Sequence, residues 1–373
     1  MRFIRLALFC FSRLMNSFAR TITITMVCCM VILTLPSFFA TANANTDKGV
    51  DTSSIPQGKF LGAKQTTHPE WFKESFLEFE DDIDEATMEG KRVVLYFHQD
   101  GCPYCNLLVE KNFNDPLISD KIRNRFDLIA INMWGDKEVV QVGGRTFTEK
   151  TLAAALSVNF TPTLLFFTED REVALRLDGY HPPEKFVHAL DYVSGKQEKI
   201  STYPAYLSRI NQKSDDVPLN ENRWTRSPPF DLSQLGDKPI ALLFEEPNCS
   251  SCNLLYQKTF QDPSAEDLLE QFHVVQLNRW SNTPITKPDG SPTTAKEWAT
   301  ELNLGFSPSI VFFDQQGTNV MTIDAMFKTF HTLGVFDYIA SKTYRSEPSF
   351  QRYLTERAEH LRSLGQDVDI WSY

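Results

Sequence analysis

The sequence predicts an α/β protein with two tandem domains, each a central mixed sheet flanked by helices, after an N-terminal signal sequence. The first observation is an apolar run that breaks into a C-x-x-C motif at residues 93–105 and recurs at residues 240–252. Matching positions then recur at an offset of 147 and, after one deletion, 146. The length of 373 residues also exceeds what a single hydrophobic core usually reaches. A constant offset of domain length indicates a tandem duplication.

The N-terminus has the pattern of a secretory signal peptide at residues 1–44. Arginines precede an apolar block over residues 22–35, and an Ala-Asn-Ala exit ends at residue 44. An uncleaved anchor is the alternative, since the apolar block can be extended to Phe39. Either interpretation exports the rest of the chain, and we expect a periplasmic protein.

Charge and cysteine usage limit the partners and the means of stabilisation. Removing residues 1–44 removes four arginines and no acidic residue, which changes the formal net charge from −11 to −15. Such a chain is a poor ligand for nucleic acid or anionic membranes, so we expect membrane contact only through an uncleaved signal sequence. Four of the seven cysteines remain, all in the two C-x-x-C pairs, and none is left to cross-link distant segments.

The first domain is predicted at residues 67–197. Residues 45–66 before it are polar and aperiodic and predict a disordered spacer. Apolar residues near helical spacing predict an amphipathic helix over residues 69–90. The elements that follow are, in order, the motif strand with a helix over residues 106–113, a helix that begins at Asp115-Pro116, a strand over 127–133, a polar loop over 135–148, a helix over 149–158, strands over 163–167 and 173–177, and a closing helix over 184–194.

The second domain is predicted at residues 231–345. Residues 198–230 before it predict a linker with a short helix near residues 203–211. The second copy ends with a helix near residues 326–342. Residues 346–373 predict one further helix and a tail outside the core fold.

Each C-x-x-C pair is predicted to lie where a strand passes into a helix. Backbone N–H groups and the positive dipole end at a helix N-terminus favour thiolate over thiol. Cys102 and Cys249 are therefore the predicted nucleophiles, and Cys105 and Cys252 are predicted to resolve the mixed disulfide. An inert disulfide, above all in the second copy, is the alternative. More than 140 residues separate the two pairs, which disfavours a shared zinc site, and neither a metal nor a cofactor is expected.

The motif Cys-Pro-Tyr-Cys at residues 102–105 and Thr161-Pro162 downstream resemble the thioredoxin superfamily. Pro162 matches the position of that family's cis-proline, and a cis bond is nearly confined to X-Pro. The resemblance implies a thioredoxin-like fold for both copies. It also implies a substrate-binding surface, whose residues would be Pro103, Tyr104, Thr161, Pro162, Ser307 and Pro308. A trans turn without substrate contact remains the alternative for either proline.

Within the superfamily, the first copy is most similar to the exported SoxW-type thioredoxins associated with bacterial sulfur oxidation. The resemblance rests on residues 96–105, 131–136, 143–146 and 160–167, and the second copy follows the pattern loosely. It implies that the partners are protein thiols and disulfides, a membrane thiol-electron donor and sulfur-oxidation proteins.

The chain departs from the superfamily at its buried acid, six residues before the first cysteine, where Tyr96 and Leu243 stand. His98 and Glu245, four residues before each first cysteine, are candidates for proton transfer, although solvated strand ends are favoured for both.

Taken together, these features predict an exported thiol-disulfide oxidoreductase that acts on disulfides of protein partners. The alternative is a thioredoxin-like binding or chaperone module in which one or both pairs are inert disulfides. The sequence leaves the direction of electron flow open.

Overall fold

The structure, a computed structural model, describes residues 56–210, 219, 222–225 and 230–373. The predicted signal peptide, the spacer up to residue 55 and the remaining parts of the predicted linker lie outside the described residues. The described residues fall within one compact unit. Within the described part of the chain, no helix has the length and apolar character needed to cross a membrane.

The first copy is built on a four-stranded mixed sheet. Its elements and those leading to the second copy are β1 (Phe60–Leu61), α1 (Phe79–Met88), β2 (Arg92–His98), α2 (Pro103–Leu107), a π-helical turn (Leu108–Phe113), α3 (Pro116–Arg125), β3 (Phe126–Asn132), β4 (Glu138–Val140), β5 (Thr146–Thr148), α4 (Glu149–Ala155), β6 (Thr163–Phe167), β7 (Val173–Asp178), α5 (Pro183–Ser194) and α6 (Tyr203–Ile210). The sheet order is β3-β2-β6-β7, with β2 parallel to β3 and antiparallel to β6.

The second copy repeats this order. Its elements and those that follow are β8 (Phe230–Asp231), β9 (Ile240–Glu245), α7 (Ser250–Gln257), α8 (Glu266–Leu269), β10 (His273–Asn278), β11 (Pro284–Thr286), β12 (Pro292–Thr294), α9 (Ala295–Glu301), β13 (Ser309–Phe313), β14 (Asn319–Ile323), α10 (Thr329–Ala340), α11 (Phe350–Ser363) and β15 (Val368–Asp369). The sheet order β10-β9-β13-β14 is that of the first copy, which confirms the predicted α/β duplication.

Each sheet is buried on both faces because side chains alternate along its central strand. In β2, Val94 and Tyr96 face the core beneath α2 and α5, whereas Val93 and Leu95 face the core on the α1 and α4 side. Strand β9 alternates in the same way between two cores. The helices that carry the cysteines therefore lie over one face of each sheet.

The two copies meet through equivalent residues. Tyr180 and Met326, which correspond at an offset of 146, form an antiparallel bridge in which Met326 N donates to Tyr180 O at 3.0 Å. Two ring contacts flank this bridge, and they are equivalent to each other at the same offset: Phe160 with Phe327 at 4.8 Å and Phe306 with His181 at 5.3 Å. The interface therefore has an approximate internal two-fold symmetry.

The predicted helix over residues 69–90 is wrong in its first half, since α1 covers only Phe79–Met88. Trp71 and Phe72 instead contact the ring of Phe113 from irregular backbone. Lys73 N donates to the Leu128 carbonyl at 2.9 Å, so this segment follows the free edge of β3. The aromatic residues of this segment have the spacing of a helix, but their backbone is irregular and is bonded to the edge of the sheet.

Two predicted irregular segments contain strands. The end of the predicted spacer forms β1, which pairs in parallel with β15 of the tail. The predicted loop over residues 135–148 contains the hairpin β4–β5. Both pairings are made by strands of two or three residues, too short to produce a readable alternation.

The C-terminal helix, which was predicted to follow the core fold, packs on the hydrophobic core of the second copy. Phe350, Tyr353 and Leu354 of α11 are buried in the second copy's core against α10. Phe350 is fully buried, which contributes about 1.5–3 kcal/mol relative to an exposed ring. Ser349 caps the helix by accepting from Arg352 N. Helix α11 is thus fixed over the meeting point of the two copies.

Candidate active sites

The first C-x-x-C pair lies at the start of α2. Cys102 is the N-cap, its Sγ accepts from Cys105 N at 3.0 Å, and the two cysteines form a disulfide. Gly101 before it has a φ of +74°, and the equivalent Asn248 has a φ of +58°. Glycine and asparagine are the residues that tolerate this left-handed turn, which delivers each first cysteine to its helix.

The predicted cis-proline lies directly beside the first pair. The Thr161–Pro162 bond is cis, as the resemblance implied. Cys102 Sγ is 3.4 Å from Thr161 Oγ1 and 3.5 Å from the Thr161 carbonyl oxygen. The structure therefore brings Cys102 and Thr161 together.

A chain of side-chain amides connects this site to α11. Gln99 Nε2 donates to Thr161 Oγ1 at 2.9 Å and to Gln351 Oε1 at 2.8 Å, while Gln99 Oε1 accepts from Trp134 Nε1 at 2.8 Å. Gln351 Nε2 donates in turn to the Asn159 carbonyl at 2.9 Å. The C-terminal helix thus bonds the backbone two residues before Thr161.

Tyr104, predicted to line a substrate groove, contacts the second copy and the tail. Its hydroxyl accepts from Lys328 N at 2.8 Å, and its ring lies 5.0 Å from His331 and 5.2 Å from Trp371. Burial raises its pKa above the usual tyrosine value. Pro103 is buried beside it, so the dipeptide between the cysteines is covered by the second copy.

A cavity of about 340 Å³ opens beside Cys102. Both copies, α11 and the tail contribute to its walls, which include Cys102, Tyr104, Thr161, Phe327, Leu354 and Ile370. His331 also lines it, and burial lowers the pKa of this histidine to about 4, so the side chain is neutral at pH 7.

The second pair has the same local geometry. Cys249 caps α7, its Sγ accepts from Cys252 N at 3.0 Å, and the pair forms a disulfide. The Ser307–Pro308 bond is also cis. A cavity of only about 40 Å³, lined in part by Ser251, Pro308 and Tyr373, lies on this side of the second copy. Asn248 and Ser250, on either side of Cys249, are exposed.

Two charged residues stand near the second site at positions where the first copy has uncharged ones. Glu246 stands at the position of Gln99 and accepts from Trp280 Nε1 at 3.2 Å, and Lys185 Nζ of the first copy is 3.6 Å from its carboxylate. Arg279, at the position of Met133, is buried and donates to Ser307 Oγ at 3.2 Å and to the Phe306 carbonyl. Burial lowers the pKa of this guanidinium.

The first copy holds an aromatic cluster where the superfamily has its acid. Tyr96 is fully buried, and among the described residues its hydroxyl has no hydrogen-bond partner. His98 stacks on Tyr96 at 5.5 Å, and the His68 ring is 4.4 Å from His98. Burial lowers the pKa of His98 to about 4, with a further contribution from His68. His98 is half-buried rather than solvated.

Glu245 is buried, which corrects the favoured prediction of a solvated strand end. Its side chain is 1% exposed, Tyr256 donates its hydroxyl to Oε1, and Gln276 Nε2 donates to Oε2 at 3.1 Å. Burial raises its pKa to about 7 despite these bonds. Since Tyr256 lies one turn after Cys252, Glu245 is located beneath the helix that carries the second pair.

Several residues that contact the first site were not predicted from the sequence. Gln99, Trp134 and Gln351 contact the first site, but they were not singled out. The correspondence of Trp134 with Trp280 and of Gln99 with Glu246 was a usable signal in the repeat. Among the described residues, no group of three or more His, Cys, Asp or Glu side chains could hold a metal ion.

The solved structures to which parts of the chain are similar include thioredoxin-fold proteins. A thioredoxin-fold protein from Helicobacter pylori is 22% identical, with 33% of this chain and 81% of that chain covered and a TM-score of 0.30. The reduced DsbD C-terminal domain of Neisseria meningitidis is 18% identical (31% and 93%, TM-score 0.24). Periplasmic thioredoxin SoxS from Paracoccus pantotrophus, in its reduced form, is 22% identical (29% and 99%, TM-score 0.21). A comparison with curated proteins found no match.

The family model described as a thioredoxin-like domain matches residues 79–194 and 231–329. These two regions make up more than half of the chain, and each contains one C-x-x-C pair and one cis X-Pro bond. The chain therefore belongs to the thioredoxin-like family, as a protein with two such domains.

Proposed function

We propose that the chain is an exported thiol-disulfide oxidoreductase that acts on disulfides of protein partners through Cys102/Cys105 and Cys249/Cys252. The observation that carries this proposal is the contact of Cys102 Sγ with Thr161, beside a cis X-Pro bond and at the start of a helix. The second copy also has an N-cap cysteine, Cys249, and a cis X-Pro bond, Ser307–Pro308.

The local geometry supports a reactive first cysteine in each copy. A backbone N–H 3.0 Å from Sγ stabilises a thiolate more than a thiol, as does the dipole of the helix behind it. The thiolate attacks a partner disulfide, a mixed disulfide forms, and Cys105 or Cys252 attacks the first cysteine's sulfur to release the partner as a thiol.

Export and partners are part of the proposal. The basic and apolar N-terminus supports passage through the bacterial inner membrane. The periplasm is kept oxidising, so a reductase there needs electrons delivered across the membrane, and a membrane thiol-electron donor would supply them. The resemblance to SoxW-type thioredoxins adds sulfur-oxidation proteins as candidate partners.

Insulin reduction tests the proposed activity. The wild-type chain, with a dithiol as reductant, is expected to precipitate the insulin B chain, whereas the quadruple variant with all four motif cysteines changed to serine is expected to match the uncatalysed rate. Equal rates for the two proteins would contradict the proposal.

A binding or chaperone module with inert disulfides is the second candidate. The burial of Cys102, which is 4% exposed, favours it. The reduction potential of each pair separates the two functions, because structural disulfides lie below about −300 mV and exchanging pairs lie above it.

A further inference from the structure

We propose that the first site acts on a low-molecular-weight, uncharged disulfide with an apolar body, which binds in the cavity beside Cys102. This inference rests on the proposed oxidoreductase function and narrows it, because it assigns a small disulfide to Cys102/Cys105 and leaves protein disulfides to Cys249/Cys252. Four features of the molecule support it: the covering of the site, the size of the cavity, the charge of its walls and the contrast with the second site.

The first site is covered on the side that an extended peptide would approach. Gln351 of α11 bonds the Asn159 carbonyl, and Lys328 N of the second copy bonds the Tyr104 hydroxyl. Cys102 itself is 4% exposed. A loop of a folded protein would therefore have to displace both the second copy and α11 before its disulfide met this sulfur.

The cavity has the size of a small-molecule site. Its volume of about 340 Å³ is at the lower end of the range for ligand pockets, roughly 300–1,000 Å³. Apolar side chains make up most of its walls, among them Phe160, Phe327, Phe330 and Leu354. An apolar body of a few carbon atoms on each sulfur would fill it and exclude water.

The charges at the cavity favour an uncharged ligand. Arg362 lines one end, but its guanidinium bonds Glu359 at 2.5 Å and the Gly58 carbonyl at 2.9 Å. Asp100 is an acidic lining residue, and His331 is neutral at pH 7. Among the described residues that line the cavity, a carboxylate on the ligand would meet acidic side chains and an arginine that already bonds protein groups.

The second site has a smaller cavity and more exposed neighbours than the first. The cavity beside Ser251 has a volume of about 40 Å³, and Asn248 and Ser250 on either side of Cys249 are exposed. Cys249 is itself only 8% exposed, against 4% for Cys102, so its exposed neighbours are what favour access of protein disulfides to the second pair. The second site is a control within the same chain.

The reaction is a dithiol exchange that needs no further reactant in a single turnover. The Cys102 thiolate attacks R–S–S–R′, which forms the Cys102–S–S–R bond and releases R′–S⁻. The Cys105 thiolate then attacks Cys102 Sγ, which forms the Cys102–Cys105 disulfide and releases R–S⁻. Two electrons pass from the cysteine pair to the ligand, and each released thiolate takes up a proton. An external dithiol restores the reduced pair.

The test uses the exported chain in two single-site forms. One carries Cys249→Ser and Cys252→Ser, and the other carries Cys102→Ser and Cys105→Ser. Each form is reduced, freed of reductant and mixed in single turnovers with bis(2-hydroxyethyl) disulfide, oxidised glutathione or insulin. Released thiol and the mass of the oxidised protein are measured.

The first-site form is expected to react with bis(2-hydroxyethyl) disulfide at least roughly tenfold faster than with oxidised glutathione, which is larger and carries carboxylates. For each form, the rate with bis(2-hydroxyethyl) disulfide is divided by the rate with insulin. This ratio is expected to be at least roughly tenfold larger for the first-site form than for the second-site form.

A pair of tryptophan variants on α11 tests the cavity itself. Thr355 is exposed and lines the cavity, so Thr355→Trp would fill it without removing a core side chain. Glu356→Trp places the same ring on an exposed position of the same helix, away from the cavity lining. We expect Thr355→Trp to slow the small-disulfide reaction of the first-site form at least roughly tenfold, and Glu356→Trp to leave it within about twofold.

The outcomes separate this inference from the proposed function. Equal preference of the two forms for small disulfides over insulin, or a reaction insensitive to Thr355→Trp, would overturn the inference and leave the oxidoreductase activity in place. Failure of both forms to reduce any of the three disulfides would overturn the proposed function.

Discussion

The two copies have the same fold and meet through equivalent residues, yet their cysteine pairs have different surroundings. In the first copy, Tyr104 between the cysteines is 3% exposed, whereas its counterpart Ser251 is half-buried and follows the exposed Ser250. The amide of Gln99 faces the C-terminal helix, and its counterpart Glu246 faces Lys185. Helix α11 has an equivalent in the first copy, α6, and each follows the closing helix of its copy, but α11 is longer, with 14 residues against 8. Duplicated sites can therefore acquire different surroundings through the side chains at equivalent positions.

Tyr104→Ala tests whether the aromatic residue holds the two copies together. The change removes ring contacts with Phe327, His331 and Trp371 and the bond from Lys328 N, so we expect a loss of about 3–5 kcal/mol in the free energy of unfolding. Ser251→Ala, the matched change in the second copy, is expected to stay within about 0.5 kcal/mol. Urea denaturation measures both, and similar losses would contradict the asymmetry.

Glu245→Gln tests the buried carboxyl of the second copy. Because burial raises its folded pKa from about 4.5 to about 7, this group contributes stability at low pH that is lost as pH rises from about 4.5 to about 7. The wild type is therefore expected to lose about 3 kcal/mol relative to the variant between about pH 4 and pH 8.

The equivalent position of the first copy should respond with the opposite sign. The folded pKa of His98 is lowered to about 4, so its contribution is present above about pH 6.5 and is lost as pH falls through about 4. Unfolding free energies of His98→Gln and Glu245→Gln, each measured against the wild type from acid to neutral pH, check both signs. Parallel pH profiles for the two variants would refute the assignment.

Cys249→Ser and Cys102→Ser compare the two nucleophiles on a protein substrate. Since Asn248 and Ser250 on either side of Cys249 are exposed, we expect Cys249→Ser to lower the rate of insulin reduction at least about 100-fold, or about 2.7 kcal/mol in activation free energy. Cys102→Ser is expected to lower it less than about twofold. The reverse order in the insulin assay would show that the enclosed site is the one that proteins reach.

Glu246→Gln gives the second copy the amide that the first copy has. Lys185 is partly exposed and 3.6 Å from the carboxylate of Glu246, which is 8% exposed, and a glutamine oxygen at this position could still accept from Trp280 Nε1. We expect the free energy of unfolding to change by less than about 1 kcal/mol, and the change to shrink further at high salt. A loss of several kcal/mol in denaturation would mean that this charge pair is structural.

The repeated elements could be predicted from the sequence because they depend on local patterns. The apolar strands and the Asp115-Pro116 helix start follow from residue types and from a constant offset, whereas the two cis-prolines were implied by the resemblance to the thioredoxin superfamily. Asp115 caps α3 as expected, accepting from Leu117 N at 2.9 Å. These features need no knowledge of the distant chain.

The enclosure of the first site could not be predicted, because it depends on pairs far apart in sequence. Gln99 and Gln351 are 252 positions apart, and no periodicity connects them. The burial of Glu245 did have a signal, since Ala241, Leu243 and Glu245 alternate on one face of β9. The charge of Glu245 nevertheless favoured the prediction of an exposed side chain. The hydroxyl of Tyr256 on α7 provides the hydrogen-bond partner that makes its burial tolerable.

The difference in access between the two first cysteines is the central claim, and alkylation of the reduced chain tests it most directly. The wild-type chain is reduced and treated with a small reagent, iodoacetamide, or a bulky one, a polyethylene-glycol maleimide, and the modification of Cys102 and Cys249 is followed by peptide mass. The account predicts that iodoacetamide modifies both cysteines, and that the bulky reagent modifies Cys249 at least roughly tenfold faster than Cys102. Equal rates of modification of the two cysteines by the bulky reagent would contradict it.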